Sequence, residues 1–164
     1  MELHPIVEKI KSLLSEKNIP FGYFEHEAVR TSEEAHALRP GYLLSQGAKA
    51  IIMRVKLRDG GYTFVQCVIP ANRKIDGKAV QRILDGKGIS FATEEESAKI
   101  TGGIEFGGIP PFGNLFGLFV YVDPKLFENE EILFNCGDRK ATIVMKTKDW
   151  EKIVTPIQHA ISKE

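Results

Sequence analysis

Residues 102–117 read GGIEFGGIPPFGNLFG, six glycines and two adjacent prolines set among isoleucines and phenylalanines. A flexible linker would carry serine and charge, whereas these large apolar side chains want burial. Glycine admits positive φ and close backbone approach; proline fixes φ and removes an N–H. The composition predicts either a rigid loop presenting backbone N–H groups to a small polar or anionic group, or a pair of tight turns between strands. Lys49 is the second candidate. In AKAIIMRVKL (48–57) the strand period puts Lys49 in one row with Ile51, Met53, Val55 and Leu57. Arg54 and Lys56 mark the other row as the wet one. A lysine at the start of a core-facing row either snorkels past the strand end or points into a polar cleft. His26 ends FGYFEH between Glu25 and Glu27, and Asn135 and Gly137 lie in NCGDR. They could bring an imidazole, an amide and backbone N–H groups to that cleft. The plainer readings are a surface histidine and a hairpin turn.

The remaining chemistry-bearing residues narrow the reaction classes. His4, His36 and His159 lie at or near helix surfaces and form no metal-ligand pattern. No nucleophile elbow, phosphate-binding loop or dinucleotide fingerprint is present, so no cofactor and no metal are expected. Cys67 and Cys136 sit in apolar runs, match no zinc spacing, and are expected to be buried small hydrophobes in a reducing compartment. Lys plus Arg and Asp plus Glu are 22 each, which argues against coating nucleic acid by charge alone and leaves room for a local patch. The N-terminal MELHPIVEKIKSLL lacks the order of a signal peptide, and no run approaches membrane-spanning length. A cytoplasmic protein that does not enter a membrane is expected.

The elements that must position these residues follow from periodicity. At 164 residues, 43% of them hydrophobic, the chain suits one domain, 1–164, with its own core. Residues 3–17 form an amphipathic helix with Ile6, Ile10, Leu13 and Leu14 on one face. FGYFEH is a short strand, and Thr31 with Glu34 is a capping box for a helix to about Leu38. Strands 48–57 and 62–69 make a hairpin through RDGG. Asp76 caps a helix carrying Ala79, Val80, Ile83 and Leu84; Thr93 and Glu96 form a capping box for a helix ending at the Gly102 loop. Strands at 118–123, 132–137 and 140–146 follow. Thr147 caps a last helix with Trp150, Ile153, Val154 and Ile157 on its apolar face. Hairpins interleaved with short helices predict an α+β fold with a mixed, largely antiparallel, barrel-like sheet flanked by helices.

Taken together, FEHEAVRTSEEA, GAKAIIMRVK, VIPANRKIDGKAV, ITGGIEFGGIPPFG and FNCGDRKATIVM resemble, in order, the YbaK/EbsC proteins. These are relatives of the editing (insertion) domain of bacterial prolyl-tRNA synthetase. The resemblance runs from about Phe21 to Trp150 and departs at NCGDRK, where relatives read closer to NAGRRG. It implies a mixed α+β domain around a barrel-like sheet. It also implies trans-editing, the hydrolysis of the ester joining a wrong amino acid to a tRNA, with tRNA for proline as the expected substrate and prolyl-tRNA synthetase as a candidate partner. The family's essential lysine falls on Lys49 and its GxxxP loop on Gly107 to Pro111, so Lys49, Gly107, Gly108 and Pro111 are the expected catalytic set. Its Asn-x-Gly falls on Asn135 and Gly137 and its strand-end histidine on His26; with Thr101, Ile109 and Phe112 these are the expected substrate-binding residues.

The chemistry suits these residue types. Ester hydrolysis needs a placed water and donors aimed at the oxyanion. Pro110 has no N–H, so Gly107, Gly108 and Ile109 are the candidate donors. A lysine of ordinary basicity is a poor base at neutral pH, so an electrostatic role is expected for Lys49. Ile104, Phe106, Ile109 and Phe112 are expected to shape the amino-acid pocket, which excludes larger side chains by clash and sorts smaller ones weakly, one methylene being worth about 1–3 kcal/mol. A non-catalytic module of the same fold that binds a tRNA end or a synthetase is the alternative; an intact lysine and GxxxP loop favour the enzyme.

Overall fold

The computed structural model of the protein describes residues 2–28 and 41–164, so the expected Thr31–Leu38 helix and His36 lie outside the described residues. Helix α1, Ile6–Glu16, buries Ile6, Val7, Ile10 and Leu14. Strand β1, Phe21–Glu25, is followed by a 3-10 turn at Leu44–Gln46 and then by β2, Ala48–Lys56, and β3, Tyr62–Pro70. These two make the expected hairpin, in register from Ala48 opposite Pro70 to Lys56 opposite Tyr62. After β4 (Lys74–Ile75), α2 spans Gly77–Ile83, β5 Gly88–Phe91 and α3 Glu94–Thr101. The Asp76 side chain caps α2 by accepting from the Ala79 N–H, and Thr93 with Glu96 closes the capping box of α3. Strands β6 (Phe119–Val122), β7 (Glu131–Asn135) and β8 (Ala141–Lys146) precede α4, Thr147–Val154, and two short strands, β9 (Ile157–Gln158) and β10 (Ser162–Lys163).

The strands form a five-stranded mixed sheet, β5-β2-β3-β6-β9, an antiparallel three-stranded sheet, β1-β8-β7, and the pair β10-β4. A parallel bridge between Gly47 and Leu133 joins the two larger sheets at the start of β2. One face of each packs on a shared core with α1 and α4, where Ile10, Val68, Phe112, Ile143 and Trp150 are buried. The fold is thus the expected mixed α+β domain with a barrel-like wall. Among the described residues no helix is long and apolar enough to cross a membrane.

Three local expectations need correction. The second row of β2 is not wet: Ala48, Ala50 and Ile52 meet the larger core, while Met53 and Val55 of the Lys49 row meet a second, smaller core under α2. Arg54 stays within the sheet because Glu96 pairs with it at 3.3 Å and the Tyr62 ring lies 3.7 Å beneath its guanidinium. Thr147 is the first residue of α4 rather than its cap, its hydroxyl donating to the Asn129 carbonyl at 2.6 Å. Ile157 is not on that helix, which ends at Val154; it lies in β9 and is exposed.

The last strand, β10, is held by Asp123, buried just after β6. Its carboxylate accepts from the N–H groups of Lys125, Ile161 and Ser162, each at 2.9 Å, and from the Ser162 hydroxyl at 2.8 Å. Burial alone would raise its pKa; these donors outweigh burial and hold it below the ordinary carboxylate value. A group whose folded pKa is depressed stabilises the fold above its unfolded value and loses that contribution as pH falls through the folded one. Asp123→Asn is therefore expected to lower the unfolding free energy by about 2–3 kcal/mol at pH 7. In urea titrations the gap from wild type should narrow below about pH 4.

Candidate active site

Three side chains from three elements fix the glycine-proline loop. Gln66 on β3 is fully buried; its Nε2 donates to the Pro110 carbonyl and its Oε1 accepts from the Gly113 N–H, both at 2.9 Å. The Trp150 indole N–H on α4, also fully buried, donates to the Pro111 carbonyl at 2.8 Å. Asn135 at the end of β7 donates from Nδ2 to the Gly107 carbonyl at 2.5 Å. The fully buried Phe112 ring sits 5.5 Å from that of Phe134. A loop pinned at Gly107, Pro110, Pro111 and Gly113 keeps its N–H groups in fixed directions, which is what an oxyanion site requires.

Not all the expected donors are available. The Gly108 N–H closes a turn onto the Glu105 carbonyl at 3.0 Å. Among the described residues, the N–H groups of Gly107 and Ile109 have no acceptor. Gly107 takes φ +87°, a conformation that a side chain would strain. Thr101 is buried at the end of α3, its hydroxyl donating to the Ser97 carbonyl and accepting from the Ile104 N–H. Thr101 and Phe112 thus shape the loop from within the core rather than lining a cleft, and Ile104 and Ile109 are largely buried beside them.

The face opposite the loop's core is set by strand register. Ala48 and Phe134, one residue beyond the Gly47–Leu133 bridge, both lie in the larger core, so Lys49 and Asn135, the next along, share the opposite face. Asn135 pairs with Thr142 on β8, and Thr142 pairs with Phe24 on β1. Lys49, Asn135, Thr142 and Phe24 therefore form one row across four strands, with His26 two residues past Phe24 on the same face. Lys49 is half-buried, and among the described residues its ammonium has neither a hydrogen bond nor an ion pair.

A hydrogen-bonded chain runs along this row. His26 Nδ1 lies 2.7 Å from the Glu27 carbonyl, which only accepts, so that nitrogen carries the proton. The Thr142 hydroxyl, with one proton, faces His26 Nε2 at 2.7 Å and Asn135 Oδ1 at 3.3 Å. In a neutral ring it donates to His26; in an imidazolium it accepts from His26 and donates to Asn135. In the second arrangement it braces the residue that grips Gly107. Thr142→Val keeps the shape and removes that brace. We expect a stability loss of about 1–2 kcal/mol by urea unfolding and a several-fold drop in catalytic rate.

Beyond Asn135 the NCGDR turn is pressed against α1. Gly137 has φ +118°, and a Cβ there would lie 1.9 Å from Ile6 Cγ2, so its role is to let the turn reach the helix. His4 accepts from the Ile6 N–H through Nδ1 at 3.1 Å and donates from Nε2 to the Gly102 carbonyl at 2.9 Å. It ties α1 to the start of the loop. Arg139 pairs with Glu105 at 2.7 Å. A cavity of about 590 Å³ opens here along the loop. Burial pushes the Cys67 thiol up to about 12, so no thiolate is on offer, and Cys136 is fully buried. Among the described residues no three His, Cys, Asp or Glu side chains gather as metal ligands.

Sequence reasoning missed Gln66, Thr142 and His4. Gln66 had a signal: a lone amide in the apolar run FVQCVIP must find partners if the strand is buried. Thr142 and His4 depend on contacts distant in sequence and carried none.

The chain matches the aminoacyl-tRNA editing domain family over residues 26–153. It is 34% identical over 150 residues to the multifunctional Ser/Thr-tRNA deacylase ProXp-y of Escherichia coli, covering 91% of this chain and 88% of that protein. It is 29% identical to the prolyl-tRNA editing protein ProX of Acetoanaerobium sticklandii, covering 86% of this chain and 85% of that one. Among solved structures, a protein proposed to be a trans-editing enzyme for prolyl-tRNA synthetase superposes with a TM-score of 0.80 at 22% identity, covering 99% of this chain and 100% of that one. The hypothetical protein APE2540 does so with a TM-score of 0.80 at 19% identity, covering 94% and 99%. With its sequence matched through the loop and the Asn135 strand, and its fold shared end to end, the chain belongs to the aminoacyl-tRNA editing domain family, hydrolases of the aminoacyl-tRNA ester bond.

Proposed function

We propose that this protein is a freestanding trans-editing deacylase that removes a small wrong amino acid, serine or threonine first, from a mischarged tRNA, with tRNA for proline as the carrier. The observation that carries the reading is the pinned loop, whose Gly107 and Ile109 N–H groups have no acceptor among the described residues, beside a row holding Asn135 and a lysine without a partner among those residues. The choice of serine and threonine rests on the likeness to ProXp-y, and that of proline tRNA on the likeness to ProX. Prolyl-tRNA synthetase, which releases the mischarged tRNA, is the proposed partner, and the cytoplasm the proposed compartment.

In the proposed reaction water adds to the ester carbonyl carbon. The carbonyl oxygen becomes an oxyanion that takes hydrogen bonds from Gly107 and Ile109, with the Lys49 ammonium offsetting its charge. The C–O bond to the terminal ribose then breaks, the ribose oxygen takes a proton, and the free amino acid leaves. No side-chain nucleophile is needed. Phosphates of the tRNA end would add a salt-dependent part to binding, since the net charge of zero supplies no broad attractive field. The test compares seryl-tRNA with a seryl ester lacking the tRNA. Faster hydrolysis of seryl-tRNA, falling steeply between 50 and 200 mM salt, is expected. Equal rates on both and a flat salt response would make a small free ester the substrate instead.

A further inference from the structure

His4 stands at the seam between two walls of the site, the glycine-proline loop and the turn after Asn135. It lies just ahead of α1 and is half-buried. Its ring Nδ1 accepts from the Ile6 N–H at 3.1 Å, so that nitrogen carries no proton. Nε2 therefore carries it and donates to the Gly102 carbonyl at 2.9 Å. The His4 backbone N–H donates to Asp138 Oδ2 at 3.4 Å, and its carbonyl accepts from the Val7 N–H at 3.0 Å. Gly102 opens the loop and Asp138 belongs to the turn, so one residue holds both walls.

The walls also meet further along. A Cβ on Gly108 would lie 3.2 Å from backbone atoms of Asp138 and Arg139, and Arg139 pairs with Glu105 at 2.7 Å. Asp138 is fixed within its own turn, its Oδ1 accepting from the Lys140 N–H at 3.0 Å. A shift of the turn relative to Gly102 is thus passed to Gly108, which sits between the candidate oxyanion donors Gly107 and Ile109.

The tie works only with a neutral ring. A proton on Nδ1 would set two N–H groups head to head at Ile6. Because the imidazole is rigid, turning Nδ1 away carries Nε2 off the Gly102 carbonyl. Of the charged groups on the elements around it, Glu8 pairs with Lys11, Glu95 with Lys99, Glu96 with Arg54 and Glu105 with Arg139. Asp138 is the carboxylate in contact with His4, and it offers a charged ring a competing partner.

We propose that neutral His4 is a positioning residue for deacylation, tying the loop to the Asp138 turn so that the Gly107 and Ile109 N–H groups hold their directions. The inference rests on the deacylase reading given above and adds a residue that lies ahead of the family-matched span, 26–153.

The experiment measures single-turnover hydrolysis of seryl-tRNA, less the uncatalysed rate, from about pH 8 to about pH 5. Wild type, His4→Ala, Asp138→Ala and the double variant are compared, with amide hydrogen exchange on the same proteins. At the upper end His4→Ala is expected to lower the maximal rate about tenfold at an unchanged half-saturating concentration. At the lower end wild type loses this advantage, its own ring being charged, and the ratio of the two rates falls toward one. Asp138→Ala should cost several-fold, and the double variant little more than His4→Ala, because both remove the same tie. Protection of the Gly103 and Gly108 amides should fall in His4→Ala and in acidified wild type, while Gly113, held by Gln66, keeps its own. A rate ratio that stays constant across the pH range, or costs that add in the double variant, overturns the proposal and makes His4 a packing residue. If His4→Ala does not fold, wild-type exchange decides, and unchanged protection of Gly103 and Gly108 on acidification overturns it. The two readings fail separately. Loosening of Gly103 and Gly108 in a protein that hydrolyses no aminoacyl-tRNA keeps the tie and sinks the deacylase. A working deacylase whose rate ratio ignores pH does the reverse.

Discussion

Lys49→Ala is expected to lower kcat/KM for deacylation by about 10²–10³-fold, the cost of removing one preorganised stabiliser of an oxyanion. The size follows from its place. Lys49 is half-buried, shares its face with Asn135, and among the described residues its ammonium has no ion pair to share its field with. A charge in a partly dry cleft acts strongly on a developing oxyanion. The same absence of a partner makes the substitution gentle on the fold, because no buried carboxylate is stranded. Thermal unfolding of the variant should therefore match wild type while activity collapses. Lys49→Arg should restore little, since a planar guanidinium cannot occupy the position of a compact ammonium. A stable alanine variant with full activity would remove Lys49 from the reaction.

Gln66→Leu is expected to cost about 3 kcal/mol of stability and, in addition, most of the activity. Leucine is close in volume but leaves the Pro110 carbonyl and the Gly113 N–H buried without partners, at about 1–3 kcal/mol each, partly offset by its greater hydrophobicity. The loop then loses its central anchor, and a shift of about 1 Å in the Gly107 and Ile109 N–H groups is worth roughly 10²-fold in rate. Trp150→Phe, which removes only the bond to the Pro111 carbonyl, should do less on both counts. Denaturant titration and single-turnover deacylation separate the two effects. A Gln66→Leu variant as active as wild type under conditions where it is folded would mean the loop does not depend on that clamp.

Local signals carried much of the architecture. The β2–β3 hairpin announced itself by two apolar runs around RDGG, and α3 by the Thr93–Glu96 box, because both depend on neighbours in sequence. Alternation along β2 placed Lys49 in a core-facing row, yet the Arg54 and Lys56 charges disguised the other row, which faces the larger core. Arg54 is paired with Glu96 from another element, and no local pattern reveals that. The short strands β9 and β10 escaped for the same reason: β9 pairs with β6, and Asp123, 38 residues upstream of Ile161, supplies the acceptor that fixes β10. In the site, residue types singled out the loop and Lys49 and raised Asn135 beside a plainer hairpin reading, and the resemblance then assigned Asn135 to the site. The state of the loop was not legible. Which N–H groups are engaged depends on a turn at Glu105, and what pins the carbonyls depends on Gln66 and Trp150 arriving from distant strands and helices.

The most direct measurement is deacylation by wild-type protein of proline tRNA charged in turn with serine, threonine, alanine, cysteine and the cognate proline. Rapid release of serine or threonine, with prolyl-tRNA left intact, is the predicted result. Failure to release any of the amino acids, from a folded protein, would contradict the assignment of this loop and its lysine to ester hydrolysis.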